Sequence, residues 1–169
     1  MALAASADGV LGQVNFTSAG SGLAADKFNA PISVYAAPDG RIWVGTQSGL
    51  NRLEPDGRDF ARYLHDDGDP ASLAHDWVYA LHRGASGRLW IGTVGGGIDS
   101  PIGSDDGFDH FPLAQLAGGE RGLNDVFAIH EAADGRVWAG TREGLLVLDS
   151  ADRTAERVAR VTGQRQHTF

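Results

Sequence analysis

Short apolar runs alternate with glycine-marked turns along most of this chain, and the alternation itself repeats. Asp39-Gly40-Arg41-Ile42-Trp43-Val44-Gly45-Thr46 returns as Ser86-Gly87-Arg88-Leu89-Trp90-Ile91-Gly92-Thr93 and again as Asp134-Gly135-Arg136-Val137-Trp138-Ala139-Gly140-Thr141. The tryptophans are 47 and 48 residues apart. An apolar run precedes each copy: Val34-Tyr35-Ala36, Val78-Tyr79-Ala80-Leu81 and Val126-Phe127-Ala128-Ile129. A glycine turn and another apolar piece follow at 49–53, 97–99 and 144–148, and a more variable fourth piece closes the unit at 59–64, 107–111 and 157–161.

The runs are short, rich in β-branched and aromatic residues, and bounded by Gly, Asp or Pro, which is how strands and hairpins read. Asp-Gly and Ser-Gly before the arginine are tight turns, where glycine supplies positive φ at no steric cost. No helix-length stretch sustains a 3.6-residue period. Four short strands in each unit of about 45 residues is the signature of a β-propeller blade. The expected fold is therefore all-β: a partial propeller of three four-stranded antiparallel blades. Counting strands from the ring axis outwards, blade one spans 32–65, blade two 77–111 and blade three 124–161. Residues 1–31 form an N-terminal segment in which Val14-Asn15-Phe16 reads as the outer strand of a preceding blade, and 162–169 form a tail. Val34 lies nine residues before Trp43, whereas Val78 and Val126 lie twelve before theirs, so the first hairpin of blade one is expected to be clipped at Pro38.

The string from Asp39 to Leu53 resembles the two-component regulator propeller repeat, as does His65-Asp66-Asp67 with the stretch from Asp69-Pro70 to Tyr79. The resemblance runs over about residues 14–149, and streptogramin-lyase-like propellers share a looser version. It implies a periplasmic ligand-sensing domain that precedes a membrane span and a kinase or diguanylate cyclase output. The ligand implied is a small molecule such as a sugar. Three blades fall short of the four to eight of a closed ring, so the chain reads as a piece of a sensor.

Charge and composition remove several classes. Net charge is −8 with thirteen Arg and one Lys, opposite to the basic footprint of nucleic-acid binders. No cysteine is present, which excludes disulfides and thiolate chemistry. No apolar run reaches the roughly 18 residues of a membrane span, so direct membrane insertion is not expected. Met1 to Asp8 lacks the basic and apolar regions of a signal peptide; a complete chain would stay in the cytoplasm, and periplasmic placement rests on the resemblance.

The repeat tryptophans are expected to pack between blades. Trp77 lies outside their register, on the loop entering blade two, and is a candidate for stacking on a ligand. His75 and Asp76 share that loop, Asn124 and Asp125 are their expected equivalents, and Gln47, Arg142 and Glu143 occupy the turns between second and third strands. Together these form the expected ligand-binding face, although Asp76 and Asp125 also suit local turn capping. The acidic runs 65–69 and 104–107 lack calcium-loop spacing. The six histidines never fall at zinc-protease spacing, Gly95-Gly96-Gly97 lacks the Lys-Ser/Thr of a phosphate loop, and Gly20-Ser21-Gly22 is not a nucleophile elbow. No catalytic group, cofactor or metal site is nominated. A lyase-like enzyme and a protein-binding scaffold are the competing readings; two histidines with a carboxylate facing the channel would favour the enzyme. An open array also leaves two apolar blade faces uncovered, so other blades or a second copy are expected partners.

Overall fold

The computed structural model describes residues 30–53, 57, 60–103 and 107–160. Within them lie three four-stranded antiparallel meanders. Blade one is β1 (Pro31–Ala36), β2 (Ile42–Thr46), β3 (Gly49–Leu53) and β4 (Phe60–Tyr63). Blade two is β5 (Val78–Arg83), β6 (Leu89–Thr93), β7 (Gly97–Pro101) and β8 (Phe108–Phe111). A one-turn helix, α1 (Leu113–Leu116), and a 3-10 turn (Arg121–Asn124) lead to β9 (Val126–Glu131), β10 (Val137–Thr141), β11 (Gly144–Asp149) and β12 (Thr154–Arg160). The fold is the all-β partial propeller read from the repeat. The strand expected around Val14 lies outside the described residues.

The three first hairpins have one register. Trp43 pairs with Tyr35, Trp90 with His82 and Trp138 with His130. Their turns match as well: Ala37 N donates to Arg41 O at 2.7 Å, Gly84 N to Arg88 O at 3.0 Å and Ala132 N to Arg136 O at 2.8 Å. The hairpin at Pro38 is therefore not clipped. The residue that faces Thr46, as Val78 faces Thr93 and Val126 faces Thr141, is Pro31. Aligning on Val34 was misleading because the strand starts three residues earlier, at a proline. The register of each inner strand shifts just after this residue, so that Ile32, Tyr79 and Phe127 are the extra residues of equivalent bulges. A bulge leaves one residue unpaired and re-aims its side chain.

Alternation along the strands gives each blade two apolar faces, which meet in two joints. Trp43, Leu50 and Tyr63 of blade one pack on Val78, Leu89, Ile91 and Phe108 of blade two. Trp90, Ile98 and Phe111 of blade two pack on Val126, Val137, Leu146 and Leu148 of blade three, with Leu113 and Leu123 filling the end of that joint. The glycine two residues after each tryptophan follows from this packing. A Cβ on Gly45 would lie 2.7 Å from Val78 Cγ1, and one on Gly92 would lie 2.8 Å from Val126 Cγ1, so only glycine lets the next blade close.

Polar clamps differ from joint to joint. At the second, Glu131 accepts from Trp90 Nε1 at 2.6 Å, Ser86 N at 3.0 Å and Ser86 Oγ at 2.9 Å. Burial acts to raise the Glu131 carboxyl, but the bonds from Trp90 and Ser86 outweigh it and hold it below the ordinary value. Asp109 is shared by Arg88 at 2.7 Å and by Arg153 of blade three at 2.9 Å. At the first joint Arg83 donates to the Tyr35 hydroxyl at 3.1 Å.

Candidate functional site

The loops that enter each blade and the turns between second and third strands share one end of the molecule. The threonine that closes the repeat motif builds those turns: Thr46, Thr93 and Thr141 donate through Oγ1 to Gly49, Gly97 and Gly144 O at 2.8, 3.2 and 2.9 Å. The turns then bond to the entering loops. Gly49 N donates to Asp76 O at 2.6 Å and Gly95 N to Asn124 O at 3.1 Å, tying each turn to the loop of the following blade. Val94 N donates to Trp77 O at 2.9 Å and Arg142 N to Asp125 O at 3.1 Å, tying each turn to its own blade. The end of the molecule is thus a cross-linked backbone surface.

These bonds correct one equivalence. Trp77 immediately precedes Val78 and Asp125 immediately precedes Val126, so Asp76 matches Asn124 and Trp77 matches Asp125, one residue from the alignment expected from sequence. Trp77 thus has a counterpart, Asp125, in the next blade, and stands apart from the register of Trp43, Trp90 and Trp138. It is 38% exposed, and its amide donates to His75 Nδ1 at 3.1 Å. The Asp76 carboxylate receives His65 N at 2.7 Å and so holds the loop. Asn124 Oδ1 receives Ala114 N at 2.8 Å, which anchors α1. Gln47 is exposed at the tip of the first turn.

Asn124, Asp125 and Arg142 are brought together around a depression of about 540 Å³, which Gln115, Arg121 and Glu143 also line. Arg142 Nε donates to Asp125 Oδ2 at 2.5 Å, and its guanidinium lies 5.8 Å from the centre of the Phe127 ring. Phe127 in turn meets Tyr79 edge-on, with ring centres 5.0 Å apart. His75, Asp76, Trp77 and Gln47 are not among the residues lining this depression. Sequence reasoning missed Tyr79 and Phe127 because both look like ordinary strand formers. Only the bulge leaves each of them 37% exposed. Arg121 and Gln115 were missed because no repeat unit contains them.

A wider groove of about 830 Å³ lies elsewhere, lined by Arg62, His65, Asp66, Asp67 and Phe108 among others, and includes none of the expected site residues. Its carboxylates serve the loop: Asp66 Oδ1 receives Gly68 N at 2.8 Å and Asp69 Oδ1 receives Ala71 N at 2.9 Å. Behind it, His110 presents Nδ1 to the buried Asp99 at 2.8 Å and Nε2 to Pro70 O at 2.9 Å. Two acceptors on one ring favour its protonated form, and the bond to Asp99, against burial, raises His110 above the ordinary histidine value. His65 is raised in the same direction by its bonds to Leu73 O and Asp67.

On the inner strands His82 and His130 stand at one register with ring centres 5.2 Å apart. Burial and the neighbouring His130 lower His82. The nearest carboxylate along the strand, Glu131, is committed to Trp90 and Ser86. Among the described residues no three His, Cys, Asp or Glu side chains are placed to hold a metal ion.

Three four-stranded blades with such joints define a segment of a β-propeller. Residues 72–95 and 121–143, the entrances and first hairpins of blades two and three, match the family described as two-component regulator propeller. Among solved structures, the extracellular domain of the putative hybrid two-component system BT3049 from B. thetaiotaomicron is 24% identical with a TM-score of 0.68, covering 87% of this chain and 20% of that one. The extracellular domain of the putative hybrid two-component system BT4673 from the same organism is 22% identical with a TM-score of 0.63, covering 78% and 19%. Virginiamycin B lyase from Staphylococcus aureus is 15% identical with a TM-score of 0.53, covering 72% and 38%. This chain thus spans about a fifth of the extracellular domains it matches. A comparison with curated protein sequences gave no match. No helix among the described residues is long and apolar enough to cross a membrane.

Proposed function

We propose that this chain is part of an extracytoplasmic propeller that recognises a small polar ligand for a bacterial signalling receptor. The observation that carries the reading is the 540 Å³ depression lined by Gln115, Arg121, Asn124, Asp125, Arg142 and Glu143, with Phe127 near Arg142. It offers both signs of charge and the Gln115 amide, and Arg142 on its wall lies 5.8 Å from the Phe127 ring. Such a set suits a neutral polyhydroxylated molecule of the sugar kind, which can both donate and accept at every hydroxyl and lay an apolar ring face on an aromatic. The repeat family and the two extracellular domains from hybrid two-component systems support the placement outside the cytoplasm. Signal output would belong to other parts of a longer protein.

The test is calorimetric titration of the full chain with a panel of mono- and disaccharides. One of them should bind, and Arg142→Ala should weaken it at least tenfold, because it removes a charged donor and releases Asp125. If no sugar binds, or if Arg142→Ala leaves Kd unchanged, this site assignment fails. The enzymatic alternative rests on His82 and His130, and among the described residues the neighbouring carboxylate, Glu131, is committed to Trp90 and Ser86.

A further inference from the structure

The chain between β4 and β5 makes a turn at residues 66–72 that lies against β8 of blade two. Asp66 N donates to Ser72 Oγ at 2.9 Å and Ser72 N to Asp69 O at 3.0 Å, so the turn holds its own shape. Just beyond it, Leu73 is fully buried and Ala74 N donates to Asp99 Oδ2 at 2.9 Å, which fixes this side of the loop to the blade. The turn itself is exposed from Asp66 to Pro70, and two of its backbone oxygens accept bonds from β8. Phe108 N donates to Ala71 O and His110 Nε2 to Pro70 O, both at 2.9 Å.

Two histidines meet this loop, and each ring faces two oxygens. His110 sets Nδ1 2.8 Å from Asp99 Oδ1 and Nε2 on Pro70 O. His65 sets Nδ1 2.7 Å from Leu73 O and Nε2 3.0 Å from Asp67 Oδ1. A neutral imidazole donates from one nitrogen only, so all four contacts are hydrogen bonds only while both rings carry a second proton. On losing it, His110 keeps its remaining N–H on the buried Asp99 carboxylate, where an unpaired charge costs most, and gives up Pro70 O. His65 keeps Leu73 O, because the Asp67 carboxylate is fully exposed and water serves it as well. Both surrendered bonds fall on the 66–72 turn. The surrounding charges favour the protonated rings. Asp99 and Asp109 face His110, with Asp109 answered by Arg88 and Arg153, and Arg153 also donates to His110 O. Asp67 and Asp76 face His65, while Arg62 donates to Ser48 O.

We propose that residues 66–72 form a proton-operated strap, closed on blade two while His110 and His65 are protonated and let go at Pro70 and Asp67 when they are neutral. Both rings are raised above the ordinary histidine value, His110 chiefly by Asp99 and His65 chiefly by Leu73 O. The strap is therefore fully closed below about 6.5 and loosens as pH rises through the folded values. The turn walls the 830 Å³ groove and supplies no residue to the depression at Asn124, Asp125 and Arg142, so its release reshapes one and leaves the other.

Amide hydrogen exchange of the full chain, read by NMR at about pH 5.5 and about pH 8.5 on either side of the ordinary histidine value, decides it. The reporter is Phe108 N–H, which is protected only while Ala71 O stays on it, and the amides of β6 are the control. Each rate is divided by the intrinsic rate at the same pH. Protection of Phe108 N–H should fall roughly tenfold from the lower to the higher pH, the worth of one charge-assisted bond, while β6 is unchanged. In His110→Gln, which carries no titrating ring at that position, protection should be low at both pH values, and His65→Gln should show a smaller wild-type response. Unchanged Phe108 protection in the wild type, a parallel fall in β6, or a full pH response in His110→Gln would each overturn the proposal. The wild-type readings decide alone if a variant does not fold. Sugar binding does not enter the readout, so this result and the ligand-site result fail independently.

Discussion

Replacing Glu131 with leucine isolates the polar contribution to one blade joint. Three donors converge on this carboxylate, from Trp90 Nε1 and from the amide and hydroxyl of Ser86. Ser86 lies at an exposed turn, so its two donors find water in the variant. Trp90 is only 1% exposed, and its indole N–H is left without an acceptor. An orphaned buried donor costs about 1–3 kcal/mol, and the loss of charge-assisted bonds adds to it, so the expected cost is about 2–4 kcal/mol. With a urea slope of about 1.5–2 kcal/mol/M for a chain of this size, the midpoint should fall by about 1–2.7 M. The effect must also fade in acid. A carboxyl held below its ordinary value stabilises the fold fully above the unfolded value of about 4.3 and loses that contribution as pH falls through the folded one. The gap between wild type and Glu131→Leu should therefore narrow between pH 5 and pH 3 on the scale of those values. Urea titrations followed by tryptophan fluorescence at three pH values measure both quantities. A gap that stays constant into acid would mean that the carboxylate is not what the joint uses.

Other expectations follow from burial and register. Trp90→Ala should cost about 3–5 kcal/mol in urea unfolding, Trp43→Ala should come close to it, and the half-buried Trp138 should cost least; equal losses at all three would refute the joint assignment. Gly92→Ala should cost about 1–3 kcal/mol because its Cβ strikes Val126, whereas Gly140→Ala should be neutral or slightly stabilising, and thermal melts of the pair check this directly. His110, raised by Asp99, lends stability that is fully present below the ordinary histidine value of about 6.5 and is lost as pH rises through its folded value. Imidazole NMR should place its midpoint above about 6.5, and a midpoint at or below that value would contradict the Asp99 and Pro70 geometry.

Fold class was legible because propeller blades write themselves three times. The arginine-to-threonine motif carries the turn, the joint tryptophan, the glycine beneath the next blade and the threonine that closes the following turn. One copy would be an ordinary strand, and three at constant spacing are an architecture. What failed to read was local. Pro31 concealed the start of β1, and the shift misassigned a hairpin that is in fact identical to the others. The candidate site was legible in part: Asn124, Asp125 and Arg142 lie together, but Asp76 and Asn124 spend their side chains on His65 and Ala114 amides. A side chain that caps its own loop and one that awaits a ligand have the same composition in a sequence. Tyr79 and Phe127 were hidden by a register shift of one residue, and periodicity carries no record of such a shift.

The joints also show how a repeat protein keeps its blades in order. Every blade presents the same kind of apolar face, and burial of such surface is non-directional, so it cannot by itself decide which blade follows which. The polar groups can, because they are not repeated. Glu131 is answered by Ser86 and Trp90, but blade two carries Arg83 at the Glu131 register, and Arg83 is answered by the Tyr35 hydroxyl instead. Exchanging the blades would set the Arg83 guanidinium against the buried Trp90 indole N–H, donor against donor. An unpaired buried polar group costs more than a made hydrogen bond returns. The clamps therefore contribute less to overall stability than to excluding the wrong neighbour. The same reasoning makes the outer face of blade three selective: among the described residues no acceptor meets the half-buried Trp138 indole N–H, so a partner with an acceptor at the Glu131 register is held more strongly than a purely apolar one.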